Sequence, residues 1–247
     1  MAAVALVLFV CDPLLKVFSD TPVPQTILER IEVWCAGNEY ESAQFAIRAE
    51  APLPATTVRV GPLTHESGYI LPADGITWSF VGTIPLRKNT PCERDGVLVR
   101  QAPCDMPDVL LPDRSRDLPA RTTQPVWLSF HVPAAAPAGV YRGEVVVASG
   151  DVKSALPIEL HVWSFALSEE RHLFVTTWID FAKIAKAHQV REWSNEFWPV
   201  YGRYLDNMHE HRQNIAWVPW SLVKAYREMD GRLTFDYTLF DLSLIHI

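Results

Sequence analysis

The sequence predicts a mixed, multidomain fold: an all-β sandwich over residues 1–168, followed by the first βα units of a (β/α)8 barrel over residues 169–241. Three observations carry this reading. Up to about residue 165 the chain is a series of short runs alternating apolar and polar residues, punctuated by prolines and without a credible helix. At Ser164–Arg171 the pattern changes to a buried run, helical spacing and a second buried run, the opening of a parallel α/β fold. Only about 70 residues follow that change, whereas eight βα units need about 250, so the barrel is read as truncated.

In chain order, Ala5–Val10, Ile31–Cys35, Ser42–Ala49, Thr56–Val60 and Thr77–Pro85 read as strands. In Ile31–Cys35, Glu32 and Trp34 alternate with Ile31 and Val33; in Ser42–Ala49, Ala43, Phe45 and Ile47 alternate with Gln44 and Arg48. The organising stretch is Arg121–Val147. Val126, Leu128, Phe130 and Val132 share one face there, then Tyr141, Val145 and Val147, with Arg142 and Glu144 on the other side. Pro133–Gly139 is barred from regular sheet by its prolines and closed by a glycine suited to positive φ. The stretch is therefore expected to be an antiparallel hairpin. Leu156–Trp163 is the last sandwich strand, with Ile158, Leu160 and Val162 on one face.

Lys88–Ala120, rich in Pro and Asp, is expected to be a long irregular loop. Its carboxylates Asp105, Asp108, Asp113 and Asp117 match no calcium-loop spacing and read as solvated. Cys92 and Cys104 flank this loop and suit a disulfide if the protein is exported; otherwise all four cysteines read as free thiols. No zinc-like spacing is present, and no metal or other cofactor is expected. The apolar start lacks a basic region and a small-residue cleavage site, so it reads as a first strand rather than a signal peptide, and the compartment is left open.

Beyond the boundary, His172–Ile179 reads as a buried strand, Phe181–His188 as a helix, and about Asn195–His211 as a longer helix with Phe197, Val200 or Tyr201, Tyr204 and Met208 on its apolar side. Ile215–Val218 reads as a second buried strand, Leu222–Glu228 as helical, and Phe235–Asp241 as the start of another element. The last six residues, Leu242–Ile247 (LSLIHI), coincide with a translation of the mosaic-end adapter used in transposase-based sequencing libraries. Residues 242–247 are therefore read as adapter read-through and set aside from the fold.

The formal charge of −7 without a basic block argues against nucleic acid and against an anionic membrane surface as partners. No GxGxxG, GxxxxGK[ST] or GxSxG motif occurs, which argues against nucleotide cofactors and a serine-hydrolase elbow. Nine tryptophans are spread along the chain; most fill core, and a few near strand ends suit the apolar face of a sugar ring.

Four ordered blocks carry a family resemblance: GNEYESAQFAIRAE (Gly37–Glu50), PDVLLP (Pro107–Pro112), the Arg121–Val147 stretch and LPIELHVWSFAL (Leu156–Leu167). Together they resemble the N-terminal β-sandwich of glycoside hydrolase family 123, and His172–Asp241 resembles the start of its barrel. The resemblance implies a glycoside hydrolase acting on N-acetyl-β-galactosaminides, with an N-acetylgalactosamine-containing glycan as partner. It also implies an adjacent Asp-Glu pair on a later barrel strand. The Glu is the general acid, and the Asp orients the substrate's 2-acetamido nucleophile, an exception to the two-carboxylate scheme. No Asp-Glu dipeptide occurs in this chain, so no catalytic residue is carried over and the fragment itself is expected to be inactive.

Barrel sites lie at the C-terminal ends of strands, which points to Trp178 and Asp180 after the first and to Trp220 after the second. Asp180 reads either as a sugar contact or as a helix cap, and Trp220 as a sugar contact or rim packing; for Trp178 packing is the favoured reading. His209 and His211 point about 200° apart on a helix and read as structural, like the strand-start pair Glu39 and Glu41. A second function class stands beside the hydrolase: a non-catalytic carbohydrate-binding or scaffold sandwich. Binding of N-acetylgalactosamine glycans by the sandwich alone would separate the two.

Overall fold

The computed structural model describes residues 6–89, 98–219 and 224–236. The chain divides into two compact units, Met1–Ser168 and Glu169–Ile247.

The first unit is a two-sheet β-sandwich. One sheet has the order β1 (Leu6–Cys11), β3 (Glu39–Ala49), β9 (Thr123–Val132), β6 (Ile76–Leu86) and β7 (Cys104–Leu110). The other runs β2 (Ile31–Gly37), β11 (Val152–Ala166), β10 (Gly139–Ser149), β4 (Leu53–Val60) and β8 (Ser115–Leu118), with the short β5 (Thr64–His65) also on β10. β2 joins β11 in parallel, while the other pairings in this unit are antiparallel. The alternating residues named above form the core: Phe45, Ile47, Phe80, Leu128 and Phe130 from one sheet, and Val33, Tyr141, Val145, Val147, Ile158 and Leu160 from the other. Burying such side chains, at about 25 cal/mol per Å² of apolar surface, drives the two sheets together.

The central stretch is not a hairpin. β9 pairs with β3 and β6, and β10 pairs with β11, β4 and β5. The two strands face each other across the core rather than sharing a ladder. The physical reason is that each strand has a mostly apolar inward face to bury, and the segment between them is too rich in proline to close a tight turn. It crosses between sheets instead, anchored by the Tyr141 hydroxyl, which donates to the Pro137 carbonyl at 2.8 Å, and by Gly139 at φ +136°. The true hairpin is β10–β11, turning at Gly150 with φ +55°.

The described part of Lys88–Ala120 is likewise more ordered than expected, because β7 and β8 lie within it and extend the two sheets. Three of its carboxylates have protein partners. Asp108 pairs with Lys16 at 2.7 Å, Asp113 with Arg116 at 3.9 Å, and Asp117 accepts from the Ala55 amide at 2.7 Å. Cys11, Cys35 and Cys104 are free thiols, while Cys92, the other half of the conditional disulfide, lies outside the described residues. Burial pushes the Cys11 thiol up to about 11 and Cys35 to about 12, which keeps both protonated and unreactive at neutral pH.

The second unit is built on α1 (Phe181–His188) and α2 (Phe197–Glu210). Ile184 and Ala185 of α1 pack with Phe197, Trp198, Val200, Tyr201 and Leu205 of α2. The two expected buried strands do not form. His172–Ile179 is irregular, with Leu173 76% and Phe174 78% exposed, and Ile215–Val218 is not a strand either. The segments still meet: the Val175 carbonyl accepts from the Asn214 and Ile215 amides at 3.1 and 3.3 Å. The Asn214 side chain, however, accepts the Val175 N–H at 2.9 Å, so a side chain takes the place of a ladder bond. The helix expected at Leu222–Glu228 is replaced by a hairpin, β12 (Lys224–Arg227) with β13 (Leu233–Asp236). Asp230-Gly231 explains the difference: Gly231 takes φ +86°, a turn that reverses the chain. The tail 242–247 lies outside the described residues.

Candidate functional site

Of the three residues singled out from the sequence, Asp180 has a firm structural place. Its Oδ1 accepts from the Lys183 backbone N–H at 3.0 Å, and its Oδ2 lies 3.1 Å from the Lys183 ammonium. It is the N-cap of α1, a position that satisfies an otherwise orphaned helix amide. The backbone hydrogen bond from Lys183, with the Lys183 ammonium beside it, holds the carboxyl below its ordinary range. Asp180 is therefore ionised at neutral pH and already engaged at both oxygens.

Trp178 is not packed away. It is 84% exposed, and its ring lies 5.3 Å from that of Trp217 at an interplanar angle of 45°. Trp217 is positioned from α2, since the buried Tyr201 hydroxyl donates to its carbonyl at 2.5 Å, and burial raises that phenol to about 12. Trp217 was not singled out as a contact, although it stands three residues before Trp220 in the same apolar run. Trp220 lies outside the described residues. The structure thus brings Trp178 and Trp217 together, with Trp178 two residues before the Asp180 cap in the chain. That arrangement can stack on the apolar face of a ring and accept hydrogen bonds from hydroxyls.

The histidines of the second unit have local partners: His209 Nδ1 lies 3.1 Å from Arg171 Nη1, and His211 Nδ1 lies 2.7 Å from the Asn207 carbonyl. Glu39 accepts from the Ala36 amide at 2.6 Å, closing the turn between β2 and β3. Among the described residues no three His, Cys, Asp or Glu side chains converge as metal ligands. No described helix is long and apolar enough to cross a membrane.

Comparison with known proteins places the chain in a family. The model of the glycoside hydrolase 123 N-terminal domain matches residues 22–149. No curated protein sequence matches the chain. Among solved structures, a family 123 glycoside hydrolase from Clostridium perfringens, studied for glycolipid glycan hydrolysis, superposes with a TM-score of 0.75 at 13% identity, over 97% of this chain and 45% of that one. The CooA pilin subunit from enterotoxigenic Escherichia coli aligns with a TM-score of 0.31 at 11% identity, over 56% of this chain and 92% of that one. At 13% identity the likeness to the Clostridium enzyme concerns the fold, and the chain spans less than half the length of that enzyme. With the domain model matching just over half of its residues, the chain belongs to the glycoside hydrolase 123 N-terminal domain family.

Proposed function

We propose that this chain is the N-terminal portion of a glycoside hydrolase that cleaves N-acetyl-β-galactosaminide linkages by substrate-assisted catalysis, with the reacting carboxylates supplied by a part of the protein outside residues 1–247. The observation that carries the reading is the family match over residues 22–149. Two further facts support it. The chain aligns with less than half of a family 123 enzyme, and it contains no Asp-Glu pair. In this reading the second unit begins a (β/α)8 barrel, Trp178 with Trp217 and Trp220 contributes stacking surface for the glycan, and Asp180 contributes a hydroxyl acceptor while capping α1. The chain alone is inactive, because no described carboxylate pair is held as an acid and its orienting partner.

The chemistry sets the test. If the 2-acetamido oxygen attacks the anomeric carbon, the intermediate is a bicyclic oxazolinium, which N-acetylgalactosamine-thiazoline imitates. The longer gene product is expected to be inhibited competitively by that thiazoline and to release the β-anomer first. Release of the α-anomer, or indifference to the thiazoline, contradicts the substrate-assisted route.

A further inference from the structure

We propose that the sandwich itself carries a glycan-binding platform, formed by Trp34 backed by His161 with Arg30 and Glu32 at its rim. The proposal rests on the glycan reading above and assigns it a site in the first unit.

Trp34 sits on the outward face of β2, opposite His161 of β11 in the parallel register. The two rings stack at 4.7 Å with an angle of 7°. That contact covers one face of the indole, yet Trp34 remains 45% exposed. It lines an open cleft of 500 Å³ together with Leu28, Arg30 and Glu32. The backing ring is itself held: His161 Nε2 lies 3.3 Å from Glu159 Oε1, and Glu159 Oε2 lies 3.3 Å from Arg142 Nε. The indole is therefore buttressed from behind by the partly buried His161 and Glu159, with the exposed Arg142 guanidinium next in series, which fixes its plane before any ligand arrives.

The rim supplies hydrogen bonds. Arg30 reaches Glu32 through Nε and Nη2, both at 2.5 Å and both to Oε1. Glu32, two residues before Trp34 on the same outward face of β2 and lining the same cleft, offers its Oε2 as an acceptor. An aromatic plane with a carboxylate and a guanidinium at its edge matches a pyranose: the axial C–H face stacks on the ring, and neighbouring hydroxyls bond to the charged rim. A peptide added to the open edge of β2 is the rival occupant. The charges of Glu32 on that short strand and of Arg30 just before it oppose it, as charged edges do elsewhere.

The probe is methyl β-N-acetylgalactosaminide, measured on chain 1–247 by saturation-transfer NMR and tryptophan fluorescence. Wild type is expected to bind with a Kd of about a millimolar. W34L keeps an apolar side chain against His161 but lacks the π face and is expected to weaken binding at least tenfold. E32Q leaves the ring stack untouched and is expected to weaken it several-fold. Wild-type affinity in both folded variants overturns the proposal, as does the absence of saturation transfer in wild type at about 10 mM sugar, well above a millimolar Kd. Hydrolysis by the longer enzyme reports on the proposed function separately: the platform fails on the binding data alone, whatever that assay shows.

Discussion

Gly143 offers a sharp test of the sandwich. It lies in the interior of β10, opposite Ile158 of β11, on the same face as Tyr141 and Val145. The chain between β4 and β5 runs against it, tied by the Gly61 amide donating to the Glu144 carbonyl at 2.9 Å. A Cβ added at Gly143 would stand 2.5 Å from Leu63 Cδ2 and 2.6 Å from the Pro62 carbonyl oxygen. Leu63 is fully buried and Pro62 contributes backbone, so neither yields easily. Two terms oppose each other in Gly143→Ala. Loss of glycine's freedom in the unfolded chain stabilises by about 0.4–1 kcal/mol, and overpacking costs about 1–3 kcal/mol. The second wins. A net loss of about 1–2 kcal/mol lowers the melting temperature by roughly 2–8 °C for a unit of this size, read by circular dichroism. Gly202 of α2 has nothing within 4 Å of an added Cβ, so Gly202→Ala should firm the helix instead. A Gly143→Ala protein that melts at or above the wild-type temperature would refute the close approach of residues 61–63 to β10.

Three further outcomes are expected. Asp180→Ala should speed amide exchange at Lys183 and the first turn of α1, while Asp180→Asn, an equally good cap, should not. Because the Asp180 carboxyl titrates below its ordinary value in the folded chain, its contribution is present above the unfolded value and is lost as pH falls through the folded one. Tyr141 shows the opposite sign: burial raises its phenol to about 12, so its contribution is intact below about pH 10 and is lost as pH rises toward 12. Tyr141→Phe should cost about 1 kcal/mol at neutral pH through the lost bond to Pro137, and should flatten the alkaline limb of a pH-stability profile. Finally, exposed Leu173, Phe174 and Trp178 should make the chain bind the dye ANS, and deleting residues 169–247 should remove most of that signal.

Alternation of period two is a direct consequence of strand geometry, which is why the sandwich strands were legible within a few residues, from Leu6–Cys11 to Val152–Ala166. Pairing was not legible in the same way. An alternating strand reports which side is buried, not which neighbour it bonds, and β9 and β10 satisfy the same pattern on opposite sheets. β7 and β8 escaped notice because Pro107 and the closely spaced Asp residues mask their alternation. In the second unit, Asp180 was legible only as one of two readings, a sugar contact or a cap, because a carboxylate preceding an apolar helix suits both; the bond from Lys183 shows that it caps α1. The apolar runs at His172–Ile179 and Ile215–Val218 were not legible, since composition cannot distinguish a buried strand from an irregular segment held by an asparagine side chain. The Trp34–His161 stack was hidden for another reason: its members are 127 positions apart and meet only through the parallel pairing of β2 with β11.

The most direct measurement is hydrolysis of p-nitrophenyl N-acetyl-β-galactosaminide, run side by side on chain 1–247 and on the longer gene product. The account predicts turnover by the longer protein and none by residues 1–247. Turnover by residues 1–247, or a longer protein that is folded and inert on this and related β-linked N-acetylgalactosaminides, would contradict it.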